Sequence, residues 1–494
     1  MSHTTLPPVA AIDLGATSGR VMIGEYRDGK TQLELVHRFT NGPLPLAQRC
    51  PGAPDDALMW DIDELWKQIR HGLRLAFAQR PNIASIGVDS WAVDYALLKD
   101  GKRLGEVRHY RDPRNERAVD ALEKNFSRAE LFTRNGLQFL PFNTVYQLEA
   151  ERSTGNLELA DTLLLVPDYF NWLLTGEIGI ERTNASTTGL LGIETARWDA
   201  ELASHLGVQE MLPRIIEPGE SVGALLPELA AEFGATDSVQ VIAAASHDTA
   251  SAVAAAPLTS SKSVYISCGT WGLIGVELDA PVLGENTRKS GFTNEIGIDC
   301  SVRFLKNVTG TWLLSESIRH WNDNGWNGEP FDGTLETLLP EVEKLPIPDV
   351  LIDPQADTFL APGNMPERIV DAVVAAGGPK PSTPAEIIRL VIESLAASFA
   401  EQAINAAQTG GLIPDVIHIV GGGSQGELLC QRTADHARIS VIAGPVECTA
   451  LGNVLLQQRA HSTESWGARD LRQLVRDSSN LQGYLPKQIS STLT

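Results

Sequence analysis

The sequence predicts an α/β protein built from two similar domains, and three observations carry that prediction. Short apolar runs alternate with segments of helical spacing, and the runs end in polar or small residues. A strand, small-residue turn and return strand near Asp13 recurs near Cys268. A helix and a strand that ends in polar groups around Asp89 recur as a helix and a strand ending in Gly421-Gly422-Gly423-Ser424. Such repetition at a period of about 250 residues points to an internal duplication.

In chain order, Val9 to Ile12 is an apolar strand that runs into Asp13. Leu14 to Gly19 is a turn of small residues, and Val21 to Tyr26 returns as a strand. Asp61 or Asp63 can cap a helix whose Leu65, Ile69, Leu73 and Phe77 share one face. Pro81-Asn82 ends it, and Ile83 to Val88 is a strand leading to Asp89-Ser90-Trp91-Ala92-Val93-Asp94. In α/β sheets, ligands gather at such strand ends. The second half offers strands at Ser263–Ser267 and Leu273–Glu277. It continues with a capping box at Thr383–Glu386 with Pro384 at the first helical position, and a strand at Pro414–Val420. The small-residue stretch Ala254–Ser263 is the expected boundary, giving domains 1–256 and 257–494. Asn322–Asp357, rich in Gly, Pro and acids, reads as a softer insertion, and Gln488–Thr494 as a polar tail.

Composition bounds the function. The chain has 494 residues and a formal net charge of −22, which disfavours binding of nucleic acid through neutralised phosphates. Five widely spaced cysteines (Cys50, Cys268, Cys300, Cys430 and Cys448) with no CxxC argue against a disulfide framework or a zinc knuckle. Met1–Ala10 lacks the basic and apolar regions of a signal peptide, and the apolar stretch Ser263–Val276 is too short to span a bilayer. The expectation is a cytoplasmic protein without nucleic-acid or membrane partners, a monomer or small homo-oligomer.

Several clusters can carry chemistry, each beside a plainer reading. Asp13 to Ser18 can cradle phosphate with backbone N–H groups and hydroxyls, and Asp13 can hold Mg²⁺; the same residues also make an ordinary hairpin. Cys268-Gly269-Thr270 is its counterpart, and neither is a Walker loop. Gly421 to Gln425 can admit a base or ribose, or be a flexible loop. Asp248, after the strand Val239–Ala245, is either a general base or the cap of the helix that follows. Asp89, Trp91 and Asp94 suit a sugar, with carboxylates beside an aromatic ring, or are a buried Trp among surface acids. Arg111-Asp112-Arg114 reads as a solvated surface run.

Taken together, Ala11–Arg20, Val88–Asp94, Tyr110–Asp112, His247–Val253, Ser267–Trp271, Leu305–Leu314 and Gly421–Ser424 resemble the FGGY carbohydrate kinases, over roughly residues 9–455. The runs at His247 and Leu305 are closest to the branch of that family acting on L-rhamnulose. The resemblance implies two ribonuclease-H-like domains of the actin–hexokinase superfamily, facing a central cleft that closes on substrates. It implies ATP-dependent phosphorylation of the 1-hydroxyl of a ketose, L-rhamnulose first, with Mg²⁺. L-fuculose or another deoxy-ketose, or a non-catalytic ATP- and sugar-binding regulator, are the alternatives. Carried over, Asp248 is the base and Asp13 the metal-linked carboxylate. Gly15, Thr17, Ser18, Thr270, Gly422 and Gly423 face ATP. Ala92, Asp89, Trp91, His247, Thr249 and Asn294 serve the sugar. The chain departs from the family pattern at Ser90, Ala92, Ile296-Gly297 and Gly426. The last helical region, after Trp466, belongs to the 257–494 domain with packing back on the first domain as the alternative.

Overall fold

The computed structural model describes residues 5–44 and 56–487. Cys50, the start of the expected non-signal segment (1–4) and the polar tail at 488–494 lie outside the described residues. The chain forms two compact units. The first contains 1–257, 277–304 and 448–479, and the second contains 258–276, 305–447 and 480–494. The first crossing, at 257/258, falls in the small-residue seam. The division is not a single cut, however, because two later segments belong to the first unit. Ala468–Ser478, the helix beyond Trp466, is among them.

The first unit is organised on a six-stranded sheet. Its strands are β1 (Val9–Leu14), β2 (Ser18–Arg27), β3 (Lys30–Thr40), β4 (Ser85–Ser90), β5 (Ser221–Ala224) and β6 (Gln240–Ile242), in the order β5-β6-β4-β1-β2-β3. β1, β4 and β6 run parallel, while β2, β3 and β5 are antiparallel to their neighbours. β1 and β4 are buried along their whole length, as strands covered on both faces must be. Helix α1 (Ile62–Gln79) is capped by Asp61, whose Oδ1 accepts from the Glu64 N–H at 3.0 Å. Its Leu65, Ile69, Leu73 and Phe77 are all buried in the main core of this unit. Each contributes roughly 1.5–3 kcal/mol relative to an exposed position. Helix α2 (Asp248–Ala255) follows β6, and helix α3 (Cys448–His461) packs on it. That approach requires a glycine: a Cβ at Gly452 would lie 1.9 Å from the Ser251 carbonyl oxygen.

The second unit repeats the plan. Strand Val264–Cys268 pairs antiparallel with Trp271–Leu278 and parallel with Val416–Val420. Val416–Val420 pairs parallel with Ser440–Ala443, which pairs antiparallel with Gln482–Tyr484. β2-β1-β4-β6-β5 has the same sequence of directions, so the duplication is visible in strand pairing. The 26-residue helix Pro384–Thr409 carries the expected box, with Thr383 and Glu386 capping each other reciprocally. The acid-rich stretch 322–357 holds a further helix, Leu335–Val342, capped by Thr334. The run at Arg111 is not a solvated face. Asp112 is 3% exposed and accepts from the backbone N–H groups of Leu58 and Arg114, and Arg114 pairs with buried Glu151.

Candidate functional site

The strand ends of the first unit bring three carboxylates together. Register places Asp13 of β1 opposite Arg20 on β2 and opposite Asp89 on β4. Paired residues on neighbouring strands project to one face. Arg20 donates to Asp13 Oδ2 from Nε at 2.9 Å and approaches it with Nη2 at 2.8 Å. Asp89 is wholly buried, with Oδ2 accepting from Asn453 Nδ2 at 2.7 Å and Oδ1 without a hydrogen-bond partner. Burial, and after it the charges of Asp13 and Asp248, raise the Asp89 carboxyl well above its ordinary range. The chain then brings in Asp248: Ser90 bridges to His247, and the Ser90 N–H donates to the Ser246 carbonyl at 2.9 Å.

Asp248 does not cap its helix. His247 occupies the cap position, and no side chain accepts from the first-turn amides there. The Asp248 side chain is instead 32% exposed. Its Oδ1 accepts from Thr249 Oγ1 at 3.0 Å and lies 3.5 Å from His247 Nε2. Glu181, unremarkable in sequence, fixes the approach to this site. Its buried carboxylate accepts from the Ser246 N–H and Oγ, both at 2.9 Å, and from the Thr183 N–H and Oγ1. Burial raises the Glu181 carboxyl, and these donors oppose the rise.

His247 sits against Glu295 and Arg303. Arg303 Nη2 is 3.2 Å from His247 Nδ1 and 3.0 Å from Glu295 Oε2. Burial alone would raise the Glu295 carboxyl, but the Arg303 charge and His247 outweigh it and hold it below its usual value. In sequence Glu295 belongs to the polar cluster Thr293-Asn294-Glu295, whose role is not assigned there, and Arg303 carries no local motif; their packing against His247 gives both a place.

The other expected sugar residues divide. Ala92 is half-buried and opens a three-residue turn in which the Asp94 N–H donates to the Ala92 carbonyl at 2.9 Å. Its central residue, Val93, has φ +69, a strained value for a β-branched side chain. Thr144 Oγ1 and Gln147 Nε2 hold the Val93 carbonyl at 2.7 and 3.3 Å. Asp94 is sealed inside. It accepts from the indoles of Trp60 (2.6 Å) and Trp91 (3.0 Å), from the Tyr110 N–H and from Gln147. Burial pushes its carboxyl up to about 7 against those donors. Trp91 is buried and spends its indole N–H on Asp94. Asn294 is 0% exposed, and its amide is taken by backbone: Oδ1 by the Val282 N–H, and Nδ2 by the carbonyls of Gly136 and Val282. These hydrogen bonds staple the strand carrying Asn294 to the backbone at Gly136 and Val282.

The two small-residue turns are each closed by a glycine N–H and braced at the glycine carbonyl, but with different spacing. The Gly15 N–H donates to the Ser18 carbonyl, and Asn41 braces the turn at the Gly15 and Thr17 carbonyls. The Gly269 N–H donates to the Trp271 carbonyl, and Thr311 braces that turn at the Gly269 carbonyl. Thr17 is exposed, and Ser18 and Thr270 are half-buried. The glycines of the third loop are not equivalent. A Cβ on Gly423 would fall 2.2 Å from Cys268 Sγ, whereas one on Gly422 would meet nothing within 4 Å. Gly423 is required by packing, and Gly422 leaves an open backbone surface.

Hard carboxylate oxygens at Asp13 and Asp89, one of them buried without a partner, fit a divalent cation. Among the described residues no three His, Cys, Asp or Glu side chains form a metal cage. No described helix is long and apolar enough to cross a membrane.

Residues 9–254 match the family model for the N-terminal domain of the FGGY family of carbohydrate kinases, and residues 264–461 match the model for its C-terminal domain. The chain is 37% identical to a rhamnulokinase of Bacteroides thetaiotaomicron, over 97% of this chain and 96% of that protein. It is 37% identical to a rhamnulokinase of Bacillus subtilis, over 97% and 95% respectively. Among solved structures it resembles ligand-bound xylulose kinase from Lactobacillus acidophilus, with a TM-score of 0.77 and 18% identity over 97% of this chain and 94% of that one. It also resembles Plasmodium falciparum glycerol kinase with ADP, with a TM-score of 0.72 and 16% identity over 97% and 94%. These likenesses establish the fold.

Proposed function

Because the chain belongs to the FGGY family of carbohydrate kinases, we propose that it transfers the γ-phosphoryl group of ATP to the 1-hydroxyl of L-rhamnulose. The observation that carries the mechanism is the Asp248 carboxylate. It is partly exposed and unused as a helix cap, and both of its protein neighbours lie on Oδ1. Oδ2 accepts no hydrogen bond from the described residues and faces the task of taking the hydroxyl proton. As that proton moves to Oδ2, the sugar oxygen forms its bond to the γ-phosphorus and the bond to the ADP oxygen breaks. A sugar hydroxyl is almost un-ionised at neutral pH, so a base within hydrogen-bond reach matters in the transition state.

Thr17 and Ser18 supply hydroxyl donors to phosphate, on a turn that the Gly15 N–H closes and that brings the Gly15 backbone close to it. Thr270 has the equivalent place in the second unit, and Gly422 and Gly423 serve the nucleoside. Asp13, with Asp89 behind it, would hold Mg²⁺, which neutralises phosphate charge when bound. His247, Thr249 and the turn at Ala92 serve the sugar. Asp89 and Trp91 support that surface from beneath. The reaction belongs in the cytoplasm, with MgATP.

ADP release with MgATP, measured across L-rhamnulose, L-fuculose, L-ribulose, D-xylulose and glycerol, tests the proposal. Dominant activity on L-rhamnulose supports it. Dominance of another sugar keeps the reaction and moves the acceptor. ADP release independent of every sugar would overturn it.

A further inference from the structure

We propose that Arg303 is a positioning residue for Asp248, acting by fixing the tautomer of His247; this rests on the assignment of Asp248 as the base. Arg303 is fully buried on the strand Val302–Thr309, and its Nε donates to the Ile296 carbonyl at 3.3 Å. A guanidinium stays protonated and has only donors. Its Nη2 stands 3.2 Å from His247 Nδ1, so Nδ1 is the acceptor of that contact. A neutral imidazole that accepts at Nδ1 carries its proton at Nε2. Nε2 is the atom that faces Asp248 Oδ1, at 3.5 Å.

Glu295 makes the arginine necessary. Its Oε2 lies 3.3 Å from the same Nδ1. Left alone, that carboxylate would draw the imidazole proton to Nδ1 and turn the Nε2 lone pair toward Asp248, acceptor against acceptor. Arg303 offsets the Glu295 charge as an ion pair at 3.0 Å, although Oε2 accepts no hydrogen bond, and presents its donor to Nδ1, which reverses the tautomer. Asp248 Oδ1 then accepts from Thr249 Oγ1 and faces the His247 Nε2–H at 3.5 Å rather than a lone pair, which holds Oδ1 on the protein side and leaves Oδ2 for the acceptor hydroxyl. Arg303 Nη1 is buried without a hydrogen-bond partner, a cost that a purely structural arginine does not explain.

The test is a long-range ¹H–¹⁵N correlation on the full chain labelled at histidine, with the His247 signals identified by their loss in His247→Gln. Wild type should show the Nε2–H tautomer. Arg303→Met should shift it to Nδ1–H and lower kcat about 10- to 100-fold, less than the roughly 10²–10⁴-fold of losing the base itself, with KM for ATP changed less than about twofold. Arg303→Lys, which keeps a cationic donor, should restore the Nε2–H form and most of kcat. If Arg303→Met does not fold, the wild-type and Arg303→Lys spectra decide the matter. An Nδ1–H tautomer in wild type overturns the proposal, as does a folded Arg303→Met enzyme with unchanged kcat. Loss of the Nε2–H form in Arg303→Met supports the tautomer lock even if no sugar is turned over. Failure with every sugar counts against the kinase reading instead.

Discussion

Asn453 donates from Nδ2 to Oδ2 of Asp89 at 2.7 Å, joining positions 364 residues apart. Gln457 supports the contact, donating to Asn453 Oδ1 at 2.8 Å and to the Ala10 carbonyl at 3.0 Å. A polar ladder on α3 thus crosses β1 and β4 beneath the carboxylate cluster. It runs so close that a Cβ on Gly87 would lie 2.3 Å from Asn453 Oδ1. The other oxygen of Asp89 has no hydrogen-bond partner. Asn453→Leu therefore leaves a buried carboxyl wholly unsatisfied and should cost about 1–3 kcal/mol, read from denaturant unfolding. A variant as stable as wild type would show that the ladder contributes nothing.

Asp248→Asn keeps the shape of the side chain and removes its capacity to take a proton. Sugar phosphorylation should fall by about 10²–10⁴-fold, with ATP affinity nearly unchanged. Paired turnover and nucleotide-binding titrations separate the two effects. Normal turnover in this variant would remove Asp248 from the role of base.

Gly452 is where α3 meets the helix that carries Asp248. Gly452→Ala puts a methyl 1.9 Å from the Ser251 carbonyl oxygen, so one backbone must move. Overpacking of this kind costs about 1–3 kcal/mol, and the displaced helix should also lower kcat. Gly483→Ala, whose Cβ would meet nothing within 4 Å, is the matched control and should melt near wild type.

Asp94 gives the first unit a pH dependence. Its carboxyl rises from an ordinary 3.8 to about 7 in the folded chain, chiefly through burial. Between those values the unfolded chain has released the proton and the folded chain retains it. The folded state then binds more protons, and its stability declines as pH rises through that window. The stability difference between wild type and Asp94→Asn should shrink from pH 4 toward pH 7, followed by thermal melts across that range. A difference independent of pH would show that the four donors keep Asp94 ionised throughout.

Local chemistry was legible in the sequence. Asp61 before a run with apolar residues every fourth position specifies a capped helix with one buried face, because cap and stripe lie within a few turns of each other. The Thr383–Glu386 box with Pro384 does the same, and the paired turns at Gly15 and Gly269 announced the duplication that strand directions repeat. The motif order also carried the family, which the matches over residues 9–254 and 264–461 bear out.

What spacing could not settle was where polar side chains spend their hydrogen bonds. An Asp at a helix start is ambiguous until the cap position is seen to belong to His247. Asn294 and Asp94 look like ligands in sequence, yet one serves backbone carbonyls and the other two indoles, because burial obliges every polar group to find a partner. Glu181, Arg303 and Asn453 reach the site from distant segments, and the return of 277–304 and 448–479 to the first unit brings the last two there. Local elements and their repetition were readable from neighbours a few residues apart, whereas Asp248 stood there as either a base or a cap and took the role of base from the family resemblance. Only the tertiary structure showed that Asp89 is held, Asp94 sealed and Asp248 partly exposed, since burial and partners such as Asn453 come from segments brought together by folding.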